Sequence, residues 1–263
     1  MTDQETLLRA VAAHPDEDTP RLVYADLLDE LGGAANAARA RFIRTQIDLT
    51  RNPGRSWFAN SDRLAEAARL AGRFADEWLD ELPLWAASEG RKQRLRADDF
   101  PRGFLETYHV APDTFAAQGE QLLDRAPIAR VVVGRFPGAA AVREFFAATV
   151  LQRVRILALS GASGDAVVGS VKTSQVLGNL EELDLSGTGL TDAGARALAR
   201  ATGLGNLRAI AVRGRSLSVQ GVSALLSAPR LPKLRVVDVR GAEVGYVWKR
   251  HLRAQFPRHT VLV

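Results

Sequence analysis

The sequence lacks cysteine altogether and contains a single methionine among its 263 residues. Disulfide bonds and thiolate metal sites are therefore excluded, and we expect a cytoplasmic protein because cysteine-free chains fit a reducing compartment. The four histidines lie far apart and lack the spacing of a zinc site. We predict no metal and no cofactor. The histidines are His14, His109, His251 and His259.

Long apolar runs are also missing. No stretch approaches the roughly 18 uninterrupted apolar residues of a membrane-spanning helix. The start of the chain, Met1 to Glu5, lacks the basic and apolar regions of a signal peptide. We find no Walker-type phosphate loop, no dinucleotide fingerprint and no nucleophile elbow. We therefore expect no membrane contact and predict that the protein is not an enzyme.

Charge is distributed unevenly along the chain. Residues 1–50 carry nine acidic and five basic side chains, residues 51–200 carry 19 of each, and residues 201–263 carry two acidic and eleven basic side chains. A basic C-terminal third can attract an acidic partner or a polyanion such as nucleic acid, although an arginine-rich codon bias would produce the same composition. The polarity also allows salt-sensitive self-association as an alternative to a monomer.

Periodic apolar residues predict four helices in the first third of the chain. We expect Thr19 to be the N-cap of the second helix, with Pro20 at its first position. We expect Leu64 to face the core, and the polar segment from Glu89 to Arg96 to be a solvated connector. The first predicted helix covers residues 2–13 and begins with a capping box of Thr2 and Glu5. The second runs from residue 20 and ends at the Gly32-Gly33 pair. The third covers about residues 35–50, and the fourth begins near Ser61.

The second half of the chain repeats a six-residue pattern. Leu180 to Leu185 recurs 27 residues later as Leu207 to Val212, and after 27 more as Leu234 to Val239. Weaker copies begin at Val154 and Ile128, each 26 residues before the next, and a degenerate opening copy is expected near residues 104–110. Apolar residues at positions 1, 4 and 6 with this period are typical of leucine-rich repeats, in which a strand is followed by a helical or irregular return.

The segment from Leu180 to Ala199 resembles the ribonuclease-inhibitor type of leucine-rich repeat, which alternates strands and α-helices. The resemblance implies an α/β solenoid of five to six degenerate units over residues 99–263. A terminal unit needs a cap over its apolar face. The chain departs from the family at the ninth position, where the usual Asn or Cys that bonds the turn backbone is replaced by Phe136, Ala162, Thr188, Arg215 and Ala242.

The N-terminal part resembles the planctomycete repeat-companion domain, a short domain of unknown function found beside such repeats. The resemblance lies in Pro15 to Glu30 and Arg41 to Gln46, and it extends to later segments such as Arg102 to Glu106. Leu27 stands where that family usually has Trp, and Arg41 where it usually has Glu. The resemblance implies a bacterial cytoplasmic protein without known catalysis, in which residues 1–98 form an α-helical capping domain.

The densest polar cluster of the sequence consists of Asp16, Asp18, Arg21, Tyr24 and Asp26. Its spacing matches no calcium loop, because the glycine and the terminal bidentate Glu are absent. We predict helix capping and ion pairing within the helical domain, with Asp26 bonded to backbone or to an arginine. An enzyme whose site lies between the two domains remains a third, less favoured hypothesis.

Strand alternation predicts the functional face of the repeats. Positions 4 and 6 point inward, so positions 3, 5 and 7 face the concave side. We predict a non-catalytic scaffold that binds a protein partner there, with nucleic acid or another polyanion on the basic C-terminal third as the alternative. Proteins that bind single-stranded nucleic acid stack bases on aromatic side chains placed among basic residues. Aromatic residues are not interleaved with the arginines here, which argues against nucleic acid as the ligand. The predicted contact residues are Arg130, Ile156, Glu182, Asp184, Arg213, Val236, Asp238 and Arg240.

Overall fold

The computed structural model describes residues 2–52, 57–92, 95–161, 164–242, 245–256 and 260–262. Of the residues singled out above, Ala162 and His259 lie outside this described part. The chain forms two compact units. The first comprises Met1–Tyr108 and Glu120–Ala129, and the second comprises His109–Gly119 and Arg130–Val263.

Helices build most of the chain before the repeats and alternate with strands inside them. In the described part of the chain, none is long and apolar enough to cross a membrane. The α-helices are α1 (Asp3–Ala13), α2 (Thr19–Leu31), α3 (Ala34–Arg51), α4 (Trp57–Trp78), α5 (Leu84–Lys92), α6 (Pro112–Leu123), α7 (Ala139–Ala147), α8 (Gly164–Thr173), α9 (Asp192–Leu198), α10 (Val219–Leu226) and α11 (Tyr246–Gln255). Short 3₁₀ helices cover Leu79–Glu81, Ala97–Asp99, Pro101–Gly103 and Thr149–Arg153.

The predicted caps of the first two helices have different outcomes. The capping box of α1 is confirmed, because the amide of Glu5 donates to Thr2 Oγ1 and the amide of Thr2 donates to Glu5 Oε2, each at 3.2 Å. The predicted N-cap of α2 is wrong by one residue, since Thr19 is already helical and Asp18 occupies the cap position. The Asp18 carboxylate makes no cap bond there and instead accepts from Arg51 Nε at 2.7 Å.

Two other helical expectations need correction. Helix α4 begins at Trp57, four residues before the predicted start, and Leu64 is 39% exposed instead of facing the core. The expected connector from Glu89 contains the last turn of α5. The buried side chains of Ala86 and Ala87 pack this helix into the first unit. This packing stabilises the helix and allows it to continue into the polar residues at its C-terminal end.

The core of the first unit forms where α3 meets the segment before the first strand. Tyr24, Ile43 and Phe104 are fully buried in one apolar cluster. Gly103 has a φ of +88°, and a Cβ there would lie 2.6 Å from the Cα of Ile43. Only glycine therefore allows this close approach of the two backbones.

The second unit contains the repeated strands. In the part of the chain that the structure describes, seven strands form one sheet in sequential order, and the pairs from the second strand onward are parallel. The architecture is a mixed α/β unit compatible with a leucine-rich-repeat solenoid. The strands are β1 (Thr107–Val110), β2 (Arg130–Val133), β3 (Ile156–Leu159), β4 (Glu182–Asp184), β5 (Ala209–Ala211), β6 (Val236–Asp238) and β7 (Thr260–Leu262).

The register of the sheet follows the sequence repeat. Position 4 of each copy pairs with position 4 of the next, and every member of this column is at most 4% exposed. The predicted inward direction of this position is confirmed. The column consists of Val131, Leu157, Leu183, Ile210, Val237 and Val261.

Neighbouring repeats are joined at the N-termini of their helices. The Asp165 carboxylate accepts hydrogen bonds from the amide of Thr191 at 3.0 Å and from its hydroxyl at 2.6 Å. One repeat later, Asp192 accepts from the amide of Ser218 at 2.9 Å and from its hydroxyl at 2.5 Å. Thr191 and Ser218 are themselves the N-caps of α9 and α10, so each helix is capped by its own residue and by the preceding repeat.

Asparagines form a second set of links between repeats. Asn179 Nδ2 donates to the carbonyl of Gln152 at 2.8 Å, and Asn206 Nδ2 donates to the carbonyl of Gly178 at 2.6 Å. These links and the aspartate caps join successive repeats. At the ninth position of its repeat, Thr188 donates only to Leu185, within its own turn, at 2.7 Å.

Candidate partner-binding face

One face of the sheet carries positions 3, 5 and 7 of the repeats, and we call it the open face. The alternation is clear in β2, where Val131 and Val133 are fully buried while Arg130 and Val132 are half-buried. The same pattern continues in β4, where Glu182 is exposed, Leu183 is buried and Asp184 is half-buried. The predicted assignment of side chains to the two faces is confirmed in these strands.

Five of the predicted contact residues form a continuous row across the open face. Arg130 Nη2 and Arg213 Nη2 both donate to Asp184 Oδ2, at 2.8 Å and 3.1 Å. Arg213 Nε lies 3.7 Å from Asp238 Oδ2. Arg240 binds both oxygens of Asp238, with Nε 2.9 Å from Oδ1 and Nη2 2.7 Å from Oδ2. We call these five residues the arginine–aspartate row.

The register of the strands explains how the row forms. Ala158 on β3 lies directly beside Asp184 on β4. Because alanine ends at Cβ, the longer Arg130 side chain on β2 can pass over β3 and reach the carboxylate. Ala211 is the neighbour of Asp184 on the other side and pairs in turn with Asp238, so the two carboxylates are separated by another small side chain.

The carboxylates of the row lie beneath its guanidinium groups. The side chains of Asp184 and Asp238 are only 13% and 11% exposed, whereas those of Arg213 and Arg240 are 46% and 58% exposed. Three arginines share two carboxylates, so the row itself carries an excess positive charge. A molecule approaching the open face therefore meets guanidinium groups that are already held in place.

The hydrogen bonds of the row keep its carboxylates ionised. Burial opposes ionisation of Asp184, but hydrogen bonds from Ser186 and Arg130 and the charge of Arg213 outweigh it and lower the pKa of this carboxyl. The hydrogen bonds from Arg240 lower the pKa of Asp238 despite some burial, and the same pair raises the pKa of Arg240.

The other three predicted residues lie on the open face outside the row. Ile156, Glu182 and Val236 belong to the position 3 column, where the register places Ile156 beside Glu182. Ile156 and Val236 are half-buried, and Glu182 is exposed. They add apolar surface and one negative charge next to the row.

Ser186 lies at position 7 of the predicted face but was not among the predicted contact residues. Its hydroxyl accepts from both the amide and the Nε of Arg213, at 3.2 Å and 3.0 Å, and so fixes the direction of that guanidinium. The available signal was its place at position 7 of the copy before Arg213. A serine there is long enough to accept from the next strand and too short to cover the arginine.

The predicted ion pairing in the polar cluster of the first unit is confirmed for Asp18, Arg21 and Asp26, whereas the predicted capping is not, because the Asp18 side chain makes no cap bond. Arg21 is fully buried, and its Nη2 donates to Glu106 Oε1 and to the carbonyl of Pro15, each at 2.8 Å. Burial lowers the pKa of Arg21 to about 10 although Glu106 opposes this effect. Asp26 accepts from Arg44 at 2.6 Å. Among the described residues, no group of three or more histidine, aspartate or glutamate side chains could hold a metal ion.

A second buried arginine was missed by sequence reasoning. Arg39 donates to both oxygens of Glu81, at 3.0 Å and 2.8 Å, and its guanidinium lies 4.7 Å from the ring centre of Trp78. Tyr24 donates to the same glutamate at 3.1 Å, and its burial together with that negative charge raises its pKa. The sequence feature that could have revealed the burial of Arg39 is its position on the apolar stripe of α3, one turn before Ile43.

Comparison with known proteins gives one independent result on the repeats. Residues 179–199 match the protein-family model described as a leucine-rich repeat. This segment contains β4 and α9, and the match supports the presence of leucine-rich repeats in the chain. No curated protein matches the chain. Stacked repeats of this kind form extended surfaces for binding.

Proposed function

We propose that the protein is a non-catalytic interaction scaffold that binds a protein partner on the open face. The observation that carries this proposal is the arginine–aspartate row, in which two half-exposed guanidinium groups are fixed by carboxylates beneath them. The leucine-rich-repeat match at residues 179–199 supports the same class of function.

The row suits protein recognition because its side chains are already ordered. Immobilising a flexible side chain at an interface costs roughly 0.5–1.5 kcal/mol. The bonds of Arg213 to Asp184 and Ser186 reduce this cost before a partner arrives. Arginine is also enriched among the residues that dominate binding energies, because its planar fork binds carboxylates and carbonyls with several donors.

The proposed contacts fall into three groups. Arg130, Arg213 and Arg240 contact the partner, with Glu182 setting its orientation. Asp184 and Asp238 act from beneath by holding the arginines. Ile156 and Val236 supply apolar contact.

Quantitative affinity capture from the native host tests this proposal. The bait variant Arg213→Ala with Arg240→Ala removes two charges from the open face. The matched control Arg196→Ala with Arg200→Ala removes two exposed charges from α9 and the residues just after it. We expect a protein recovered by the wild type and the control to be depleted at least tenfold with the face variant. Equal recovery by all three baits would contradict the proposal.

A polyanion is the second candidate, and a specific observation favours it. The last 63 residues carry eleven basic and two acidic side chains, and one of the two acids, Asp238, is already bound to Arg240. Binding of a nucleic acid would weaken steeply with salt because condensed counterions are released. Fluorescence anisotropy with a labelled oligonucleotide at about 50 mM salt checks this, and the absence of binding would exclude the candidate.

We also propose that residues 1–98 cap the repeat domain of residues 99–263. A terminal repeat exposes an apolar face unless another element covers it. A chain truncated to residues 109–263, which also removes the Phe104 segment of the first unit, should therefore aggregate or lose cooperative unfolding in urea. Cooperative unfolding of a soluble truncated chain would contradict the capping role.

A further inference from the structure

We propose that the chain also associates with itself, through contact of the exposed face of α2 in one copy with α11 of a second copy. This inference uses neither the open face nor its partner, so it stands independently of the proposed function. The molecule that covers the exposed face of α2 is a second copy of the chain.

The first observation is an apolar stripe along α2. Val23 and Leu31 are 44% and 56% exposed, and Leu27 between them is half-buried. Their spacing of four residues places all three side chains on one side of the helix over more than two turns. The adjoining side of α2 buries Tyr24 and Leu28, so the stripe lies along the edge of the packed face. Single exposed apolar residues are common, but a continuous exposed stripe is typical of an interaction site.

The second observation is the charge beside this stripe. Asp26 and Glu30 are exposed on the same side of α2 as Val23. Asp26 and Asp29 share the single guanidinium of Arg44, at 2.6 Å and 2.7 Å. Residues 1–33 as a whole carry eight acidic and two basic side chains. The partner that fits this surface is therefore both apolar and basic.

Helix α11 of the same chain has this chemistry. Its sequence contains Lys249, Arg250 and Arg253 and no acidic residue. Trp248 in its first turn is 49% exposed, although it is the largest kind of apolar side chain. Tryptophan is strongly enriched among residues that dominate binding energies. The stripe and acids of α2 thus complement the exposed Trp248 and Arg250 of α11.

Because the two surfaces differ, the contact is heterologous. Each copy uses one surface and leaves the other available, so association continues beyond a dimer unless the copies close into a ring. The attraction between opposite charges also makes the association sensitive to salt.

Sedimentation velocity at increasing protein concentration tests the inference. We expect masses above that of the monomer at low salt and a return toward the monomer at about 1 M salt, where the Debye length is about 3 Å. The variant Val23→Asp with Leu31→Asp, and separately Trp248→Ala, should each weaken association at least tenfold. Arg250→Glu, which keeps Trp248, should also weaken it. Leu84→Asp is the matched control, because Leu84 is 90% exposed elsewhere in the chain, and it should change nothing.

Mixing the blocked variants separates this inference from other forms of association. An equimolar mixture of the α2 variant and Trp248→Ala retains one intact α11 and one intact α2, so it should form dimers and nothing larger. A wild type that stays monomeric, a mixture that stays monomeric, or an α2 variant that still dimerises alone would overturn the inference. The open-face variant Arg213→Ala with Arg240→Ala should self-associate like the wild type. Self-association and partner binding on the open face are therefore tested by different variants, and either one can fail without the other.

Discussion

Arg130 on β2 donates a hydrogen bond of 2.8 Å to Asp184 on β4, across the intervening strand β3. The two residues are 54 positions apart in the chain, and the parallel register brings them together. Arg130 lies beside Ile156 and Asp184 lies beside Ala158, so the arginine crosses β3 diagonally, and we infer that the small side chain of Ala158 leaves room for it. We therefore expect the bond between Arg130 and Asp184 to depend on the size of the side chain at position 158, although alanine itself has no polar side-chain atoms.

Replacing Ala158 by leucine tests this dependence. The larger side chain would lie between Arg130 and Asp184 and break their bond, so the pKa of Asp184 should rise toward its ordinary value. NMR titration of the aspartate carboxyl carbons measures this change. Ala209→Leu, on the same face but at position 3 of β5, is the control and should leave the titration of Asp184 unchanged.

Acidification should destabilise the protein through the aspartates of the repeats. The pKa values of Asp184, Asp192 and Asp238 are lowered in the folded state, so the unfolded chain binds more protons once the pH falls toward the ordinary aspartate value of about 3.9. Their stabilising contribution is complete above that value and is lost as the pH falls through the lower folded values.

Urea denaturation between about pH 6 and pH 2 measures this loss. The variant Asp184→Asn with Asp238→Asn should show a shallower fall in the free energy of unfolding with decreasing pH than the wild type. Glu144→Gln, on the outer surface of α7, should keep the wild-type slope. Identical slopes for all three proteins would contradict the assignment of these carboxylates.

The aspartate caps between repeats predict a contrast among glycines. A Cβ at Gly194 would collide with the Asp165 carboxylate, and a Cβ at Gly221 would collide with that of Asp192. Gly194→Ala and Gly221→Ala should each lower the free energy of unfolding by about 1–3 kcal/mol. Gly169→Ala in α8 meets open space and should raise it by about 0.4–1 kcal/mol, because alanine favours a helix. Thermal and urea unfolding of the three variants provide the comparison.

The two arginine pairs of α3 should differ strongly in energy. Arg39 is 3% exposed and bound to Glu81, which is 12% exposed, so Arg39→Ala leaves this carboxylate without its charged partner and should cost about 3–5 kcal/mol. Arg44 forms its pairs at the surface, and Arg44→Ala should cost about 0–1 kcal/mol. Equal free energies of unfolding for the two variants would contradict the structural role of Arg39.

The strands and the open face were predictable because they depend on local patterns. A period of 26 or 27 residues places Leu157, Leu183 and Ile210 in one column, and strand alternation then assigns their neighbours to the other face. The pairing of Arg130 with Asp184 was not predictable. It depends on the register of three strands and on the length of one side chain, neither of which follows from alternation.

The buried arginines show the same limit in the helical unit. Arg21 and Arg39 lie on helix faces that are otherwise apolar, and their partners Glu106 and Glu81 come from segments 85 and 42 residues away. A local pattern cannot show whether such a charge is buried with a partner or exposed.

Site-specific photo-crosslinking can show whether the open face contacts a protein partner. A photoreactive amino acid at Ala211 projects from the open face, between Asp184 and Asp238. The same group at the exposed Ala193 in α9 is the control. We expect a protein partner from the native host to crosslink through position 211 and not through position 193. Crosslinking through position 193 alone would contradict this expectation.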